Sequence, residues 1–149
     1  MHILIVGSRG VGKSTLISRL LSQLKCSVWG FETKKEPDPT GPIYIYEAGK
    51  PRVQSTENLV GHCVDQKPTV IAEAFDRFAE KLTNPDGDVV LMDELGFMES
   101  ASEAFCNAVL HLFDGSVPII AAVKEMIVSG EWDVFSGVKL EIAADGTIT

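Results

Sequence analysis

Positive charge is scarce in this chain. Its 149 residues carry 13 Lys+Arg against 21 Asp+Glu, for a formal net charge of −8. That balance argues against broad binding to nucleic acid or to an anionic membrane, since either partner needs a basic face to offset its phosphates. Arginine is scarcer still, with only Arg9, Arg19, Arg52 and Arg77. A lid-bearing nucleotide kinase deploys several arginines around two phosphate chains, so the shortage counts against that class. The three cysteines, Cys26, Cys63 and Cys106, are odd in number and far apart, and none forms a C-x-x-C. They suit free thiols in a reducing cytoplasm better than a disulfide framework or a metal–thiolate site. No apolar run approaches the ~18 residues of a membrane span. The first strand candidate begins at His2, which leaves no room for a cleavable signal. The expected setting is therefore cytoplasmic, without membrane or nucleic acid.

With 45% apolar residues, the chain is expected to form one domain, residues 1–149. A domain of this size buries roughly 68–70% of the surface its unfolded chain exposes, so it needs no staple to stay folded. Charge is distributed unevenly. Residues 1–82 hold 11 basic and 9 acidic side chains, and residues 83–149 hold 2 and 12. Anion handling belongs to the first part.

Period and punctuation predict alternating strands and helices. His2 to Val6 is a short apolar, β-branched run that stops at Gly7, and Leu16, Ile17, Leu20, Leu21 and Leu24 follow at helical spacing. Ser27–Phe31 and Ile43–Tyr46 read as strands on either side of a proline-rich loop, 37–42. Pro68 suits the first turn of a helix with Ile71, Ala74, Phe75, Phe78 and Leu82 inward. Val89–Met92 is a continuous apolar run, as in a strand buried on both faces, and it ends at Asp93 and Glu94. Ser100 with Glu103 reads as a capping box opening a further helix. Val117–Val123 is another strand, Glu131–Phe135 a helical turn, and Val138–Ile142 alternates as an edge strand does. The sum is an α/β three-layer fold around a mainly parallel sheet.

Gly7-Ser8-Arg9-Gly10-Val11-Gly12-Lys13-Ser14 satisfies G-x-x-x-x-G-K-[ST], the P-loop, between a strand and a helix as that pattern requires. The glycines let successive N–H groups turn toward phosphate oxygens at a helix N-terminus, which Thr15 continues. Lys13 supplies a charge to the β- and γ-phosphates, and Ser14 a hydroxyl to Mg²⁺. Asp93 stands where a Walker B aspartate belongs, beyond the carboxyl end of a parallel strand, and would hold the metal through a water. Glu94 is placed to activate an attacking water. The expected ligand is thus Mg²⁺ with ATP, GTP or another nucleoside triphosphate.

Asp93-Glu94-Leu95-Gly96 also matches the D-x-x-G of a GTPase switch. The guanine-reading N-K-x-D is missing, because Asn58, Asn84 and Asn107 precede Leu, Pro and Ala. Arg9 and Arg52 are the candidate charge-stabilising arginines, with Lys34, Lys35 and Lys124 as basic alternatives. Trp29, Tyr44 and Tyr46 could stack on a base, though aromatic residues in strands are more often core. A phosphotransferase and a nucleotide-gated binding module are the alternatives to a triphosphatase.

Asp93-Glu94-Leu95-Gly96-Phe97-Met98-Glu99, followed by Ser102 and Phe105, resembles the D-E-[IL]-G-x-M-E segment of the small P-loop nucleoside triphosphatases that include the cancer-related nucleoside-triphosphatase. Gly30-Phe31-Glu32-Thr33 similarly resembles that family's G-F-x-T. The resemblance spans residues 1 to about 123. It implies a RecA-like core, Mg²⁺-dependent hydrolysis of several nucleoside triphosphates and a catalytic role for Glu94, and it draws notice to Glu99. Two departures stand out: Lys34-Lys35-Glu36-Pro37 replaces the family's acidic and arginine residues after G-F-x-T, and no arginine follows Arg77.

Overall fold

The computed structural model describes residues 2–8, 10–124, 138–143, 145 and 147–149. The first apolar run is β1 (His2–Gly7), and the leucine-rich segment after the glycines is α1 (Lys13–Gln23). A meander follows, made of β2 (Val28–Lys35), β3 (Pro42–Glu47), β4 (Leu59–Val64) and β5 (Lys67–Val70). Next come α2 (Ala72–Ala79), β6 (Val89–Leu95), α3 (Glu103–Asp114), β7 (Ile119–Lys124) and β8 (Val138–Ile142). The expected turn at Glu131–Phe135 lies outside the described residues.

All eight described strands form one sheet in the order β5-β4-β3-β2-β6-β7-β1-β8. From β2 to β8 every pairing is parallel, and from β2 to β5 every pairing is antiparallel. The mainly parallel sheet is therefore mixed, with an antiparallel flank. The P-loop strand β1 sits between β7 and β8, and β7 separates it from β6. That interposed strand is the RecA-like arrangement the resemblance implies. Val138–Ile142 is an edge strand, as its alternation predicts.

Side chains leave each central strand alternately to the two faces. Ile5, Leu91, Ile120 and Ala122 pack with Ile17 of α1 on one face. Leu4, Val90, Met92 and Ala121 pack beneath α2 and α3 on the other, where the Phe105 ring meets Phe31 and Phe75 edge-on at 5.1 and 5.2 Å. Helices on both faces give the three layers. The close approach of β2 to β6 explains Gly30: its φ is +112°, and a Cβ there would lie 2.1 Å from the Leu91 carbonyl oxygen.

Three local expectations are corrected. Pro68 does not open a helix; it lies in β5, an edge strand, where a missing N–H costs no ladder bond, and α2 starts at Ala72. Strand β4 reads as no element in the sequence, and it meets β5 at a two-residue turn, Asp65 and Gln66, with φ of 51° and 62°, the left-handed pair of a hairpin turn. Ser100 is not the cap of α3. It falls in a 3₁₀ turn, Met98–Ala101, while buried Ser102 accepts the Phe105 N–H at 3.1 Å and donates to Asp76.

Candidate active site

Strand β1 delivers the chain to Gly7 at its carboxyl end, and the loop to α1 turns there. Gly12 is the residue before the helix, with φ of +106°, a conformation that side chains disfavour. No side chain caps this helix start, and its first turn holds no acidic residue. The amide donors and the positive end of the dipole are thus left for an anion. Gly10, Gly12, Lys13, Ser14 and Thr15 line a cavity of about 320 Å³ together with Thr33, Lys34, Asp93 and Glu94. Gly7 and Ser8 contribute carbonyl groups instead, and Val11 packs against the α1 core. Arg9 lies outside the described residues.

The ammonium of buried Lys13 donates to the carbonyls of Gly7 and Ser8 at 2.5 and 3.4 Å, and lies 3.2 Å from Glu94 Oε2. Ser14 Oγ donates to Asp93 at 2.9 Å from Oδ2 and 3.2 Å from Oδ1. The expected acidic pair is thus set against the expected lysine and serine. Strand β6 does not stop at Met92, since it runs through Leu95. Asp93 is opposite Ala122 and Leu95 is opposite Val123, so Glu94 is the extra residue of a bulge, a device that re-aims a side chain. Burial pushes the Asp93 carboxyl above its ordinary range; the Ser14 hydroxyl and Lys34 pull it down, and the charges of Glu94 and Glu32 add to the rise. A hydroxyl and a carboxylate oxygen this close are hard donors that fit Mg²⁺, which takes few protein ligands alongside phosphate oxygens. Among the described residues, no cluster of three or more His, Cys, Asp or Glu forms a closed metal cage.

The remaining candidates separate by position. Lys34 Nζ is 3.9 Å from Asp93 Oδ2, at the edge of the cavity. Arg52 pairs with Glu32 at 3.0 Å and lies over the Tyr46 ring, outside the cavity lining. Trp29 is core, and Tyr46 stacks on Tyr44 and donates to Glu36. Neither of those segments lines the phosphate cavity. The carboxylate of buried Glu99 accepts the Gly96 N–H at 2.8 Å, which shapes the turn after β6, and it lines a neighbouring cavity of about 470 Å³. Thr33 lines both cavities and was marked in the sequence only as part of the G-F-x-T resemblance.

A P-loop on β1, an acidic pair on the strand two places away and helices on both faces define a P-loop nucleotide-binding protein with a RecA-like core. The model of the NTPase family matches residues 2–138, and the chain belongs to that family. It is 31% identical over 144 residues to the nucleoside-triphosphatase THEP1 of Methanocaldococcus jannaschii, covering 83% of this chain and 78% of that protein. It is 28% identical over 137 residues to THEP1 of Aquifex aeolicus, covering 83% and 77%. The crystal structure of the Aquifex protein superposes with a TM-score of 0.68 over 97% of this chain and 91% of that one, at 23% identity, a likeness of fold. The solution structure of a human cancer-related nucleoside triphosphatase gives a TM-score of 0.56 at 25% identity, over 83% and 75%.

Proposed function

We propose that the protein is a nucleoside-triphosphatase that hydrolyses ATP, GTP and other nucleoside triphosphates to the diphosphate and phosphate. Family membership and the names of its relatives support the activity. The observation that carries it for this chain is the meeting of Lys13 with Glu94 and of Ser14 with Asp93 around one cavity. Lys13 and the loop amides hold the β- and γ-phosphates. Ser14, and Asp93 through a water, would hold Mg²⁺. Bound there, the metal would supply charge neutralisation to the phosphates.

Glu94 is 27% exposed, so water can reach it. It accepts the proton of a water whose oxygen bonds to the γ-phosphorus. The bond from that phosphorus to the bridging oxygen breaks, and its electron pair leaves with the diphosphate. One domain, residues 1–149, carries this reaction, a reading supported by the single sheet. A cytoplasmic setting is consistent with three cysteines free of disulfides, and the net charge of −8 supports a function without nucleic acid. No described helix is long and apolar enough to cross a membrane.

Phosphate release from ATP, GTP, CTP and UTP, with and without Mg²⁺, tests the reading. All four should turn over, and only with the metal. A preference for GTP over ATP above about a thousandfold would require a hydrogen-bonding base site and restore the GTPase reading. Phosphate transfer that appears only when a small acceptor is added would make the protein a phosphotransferase.

A further inference from the structure

Among the described residues, no arginine reaches the phosphate cavity. Of the arginines among the described residues, Arg52 is held by Glu32 and Tyr46, Arg77 donates to the Glu57 carbonyl at 3.1 Å, and Arg19 lies on α1. None lines the phosphate cavity. Lys13 and Lys34 are the two cationic side chains among its described lining residues, and Lys13 is committed to the phosphate chain. Acidic groups crowd the same end: Asp93 and Glu94 in the lining, and Glu32 opposite Asp93 in the β2–β6 register. Among the described residues, negative charge developing on the γ-phosphoryl group therefore has Lys34 as the cation not already assigned to the phosphate chain.

Strand β2 supplies one. The β2–β6 pairing ends at Glu32 and Asp93, yet β2 continues to Lys35 because Thr33, Lys34 and Lys35 pair with β3. This overshoot carries Lys34 past the carboxyl end of the parallel strands, where ligands of such sheets lie. Its ammonium is a third exposed and sits 3.9 Å from Asp93, beyond hydrogen-bond range, so it is attracted without being locked. Lys34 also lines the neighbouring cavity, as Glu94 does, so it stands beside the residue expected to activate the attacking water. Beside it, the Thr33 hydroxyl is buried without a hydrogen-bond partner among the described residues.

We infer that Lys34 is a catalytic residue of this chain: it leaves Asp93 when Mg²⁺ and triphosphate enter and donates to the γ-phosphoryl oxygens in the transition state. Asp93 then serves the metal, and one positive charge moves from a resting partner to the reacting group. The inference rests on the triphosphatase reading.

The test uses the full chain with Lys34→Ala, Lys34→Met and Lys34→Arg, and two readouts. Turnover of ATP in the Ala and Met variants should fall at least about 100-fold, the usual loss when one transition-state donor is removed. Affinity for Mg²⁺–ADP–aluminium fluoride, which imitates the transferring phosphoryl group, should fall by a similar factor. Affinity for a non-hydrolysable ATP analogue should stay within about threefold of wild type, and Arg should restore much of both losses. Equal losses for analogue and aluminium fluoride complex would make Lys34 a ground-state phosphate contact and overturn the inference. So would wild-type turnover in a folded Lys34→Ala protein. A wild-type protein that releases no phosphate would instead refute the triphosphatase reading, and the aluminium fluoride titration would still report on Lys34.

Discussion

Replacing Glu94 with Gln removes one negative charge at nearly constant shape, and the structure gives its two effects opposite signs. Glu94 Oε2 lies 3.2 Å from Lys13 Nζ. Two unit charges at that distance attract by roughly 5 kcal/mol at an effective dielectric of 20. Desolvation and the partial exposure of Glu94 reduce the net value to about 1 kcal/mol. An incoming triphosphate must draw Lys13 away from this pair, so the Gln variant should bind a non-hydrolysable triphosphate about as tightly as wild type, or up to ~fivefold more tightly. Turnover should move the other way. Without a carboxylate to take the water proton it should fall at least ~100-fold, about 2.7 kcal/mol in barrier height. Fluorescence titration reads the first effect, and single-turnover phosphate release the second. Turnover within about threefold of wild type would refute the assignment of Glu94 as the base and turn attention to Glu99. Weakened binding would refute the competition between Glu94 and phosphate for Lys13.

Lys13→Ala should weaken triphosphate binding by about tenfold or more, ~1.4 kcal/mol, in a calorimetric titration of a folded variant. Asp93→Asn should raise the Mg²⁺ concentration for half-maximal turnover by about tenfold or more, as expected for a carboxylate that holds the metal through water; an unchanged Mg²⁺ dependence would move the metal elsewhere. Burial, and secondarily the Glu99 charge, push the Cys106 thiol up from its ordinary value. Its reactive thiolate therefore forms at higher pH than that of a small free thiol, so alkylation followed by peptide mass spectrometry should still be accelerating where the small thiol has levelled off.

The parts of the site that depend on local pattern were legible in the sequence. The P-loop needs glycines at set spacing between a strand and a helix, and Asp93 follows an apolar run long enough to cross the sheet, so both could be placed residue by residue. Features set by pairing with distant chain were hidden. The strand at Ser27–Phe31 shows no sign of continuing through Glu32, Lys34 and Lys35, because what extends β2 is its antiparallel partner β3. The position of Lys34 over the cavity follows from that extension. Strand β5 carries three exposed residues in four, so it has no apolar alternation to read, and Pro68 fits a helix start as well as a sheet edge. Ser100 satisfies the spacing of a capping box, yet the burial of Phe105 and the contact with Asp76 select Ser102. Spacing ranks local caps; packing chooses among them.

The two flanks of the sheet also differ in how far apart along the chain their partners lie, and this bears on the order of assembly. Strands β2 to β5 each pair with the next in sequence, so the meander can zip up through short loop closures. Strand β1 has no such neighbour: His2 pairs with Ile119 of β7, and Ile3 with Val138 of β8. Strand β1 thus waits for partners more than a hundred residues further along the chain. A chain still emerging from the ribosome holds its glycine loop without the strands that frame it, so nucleotide can help only the late steps of folding. Ligand added during refolding should accordingly slow unfolding more than it speeds the formation of the meander.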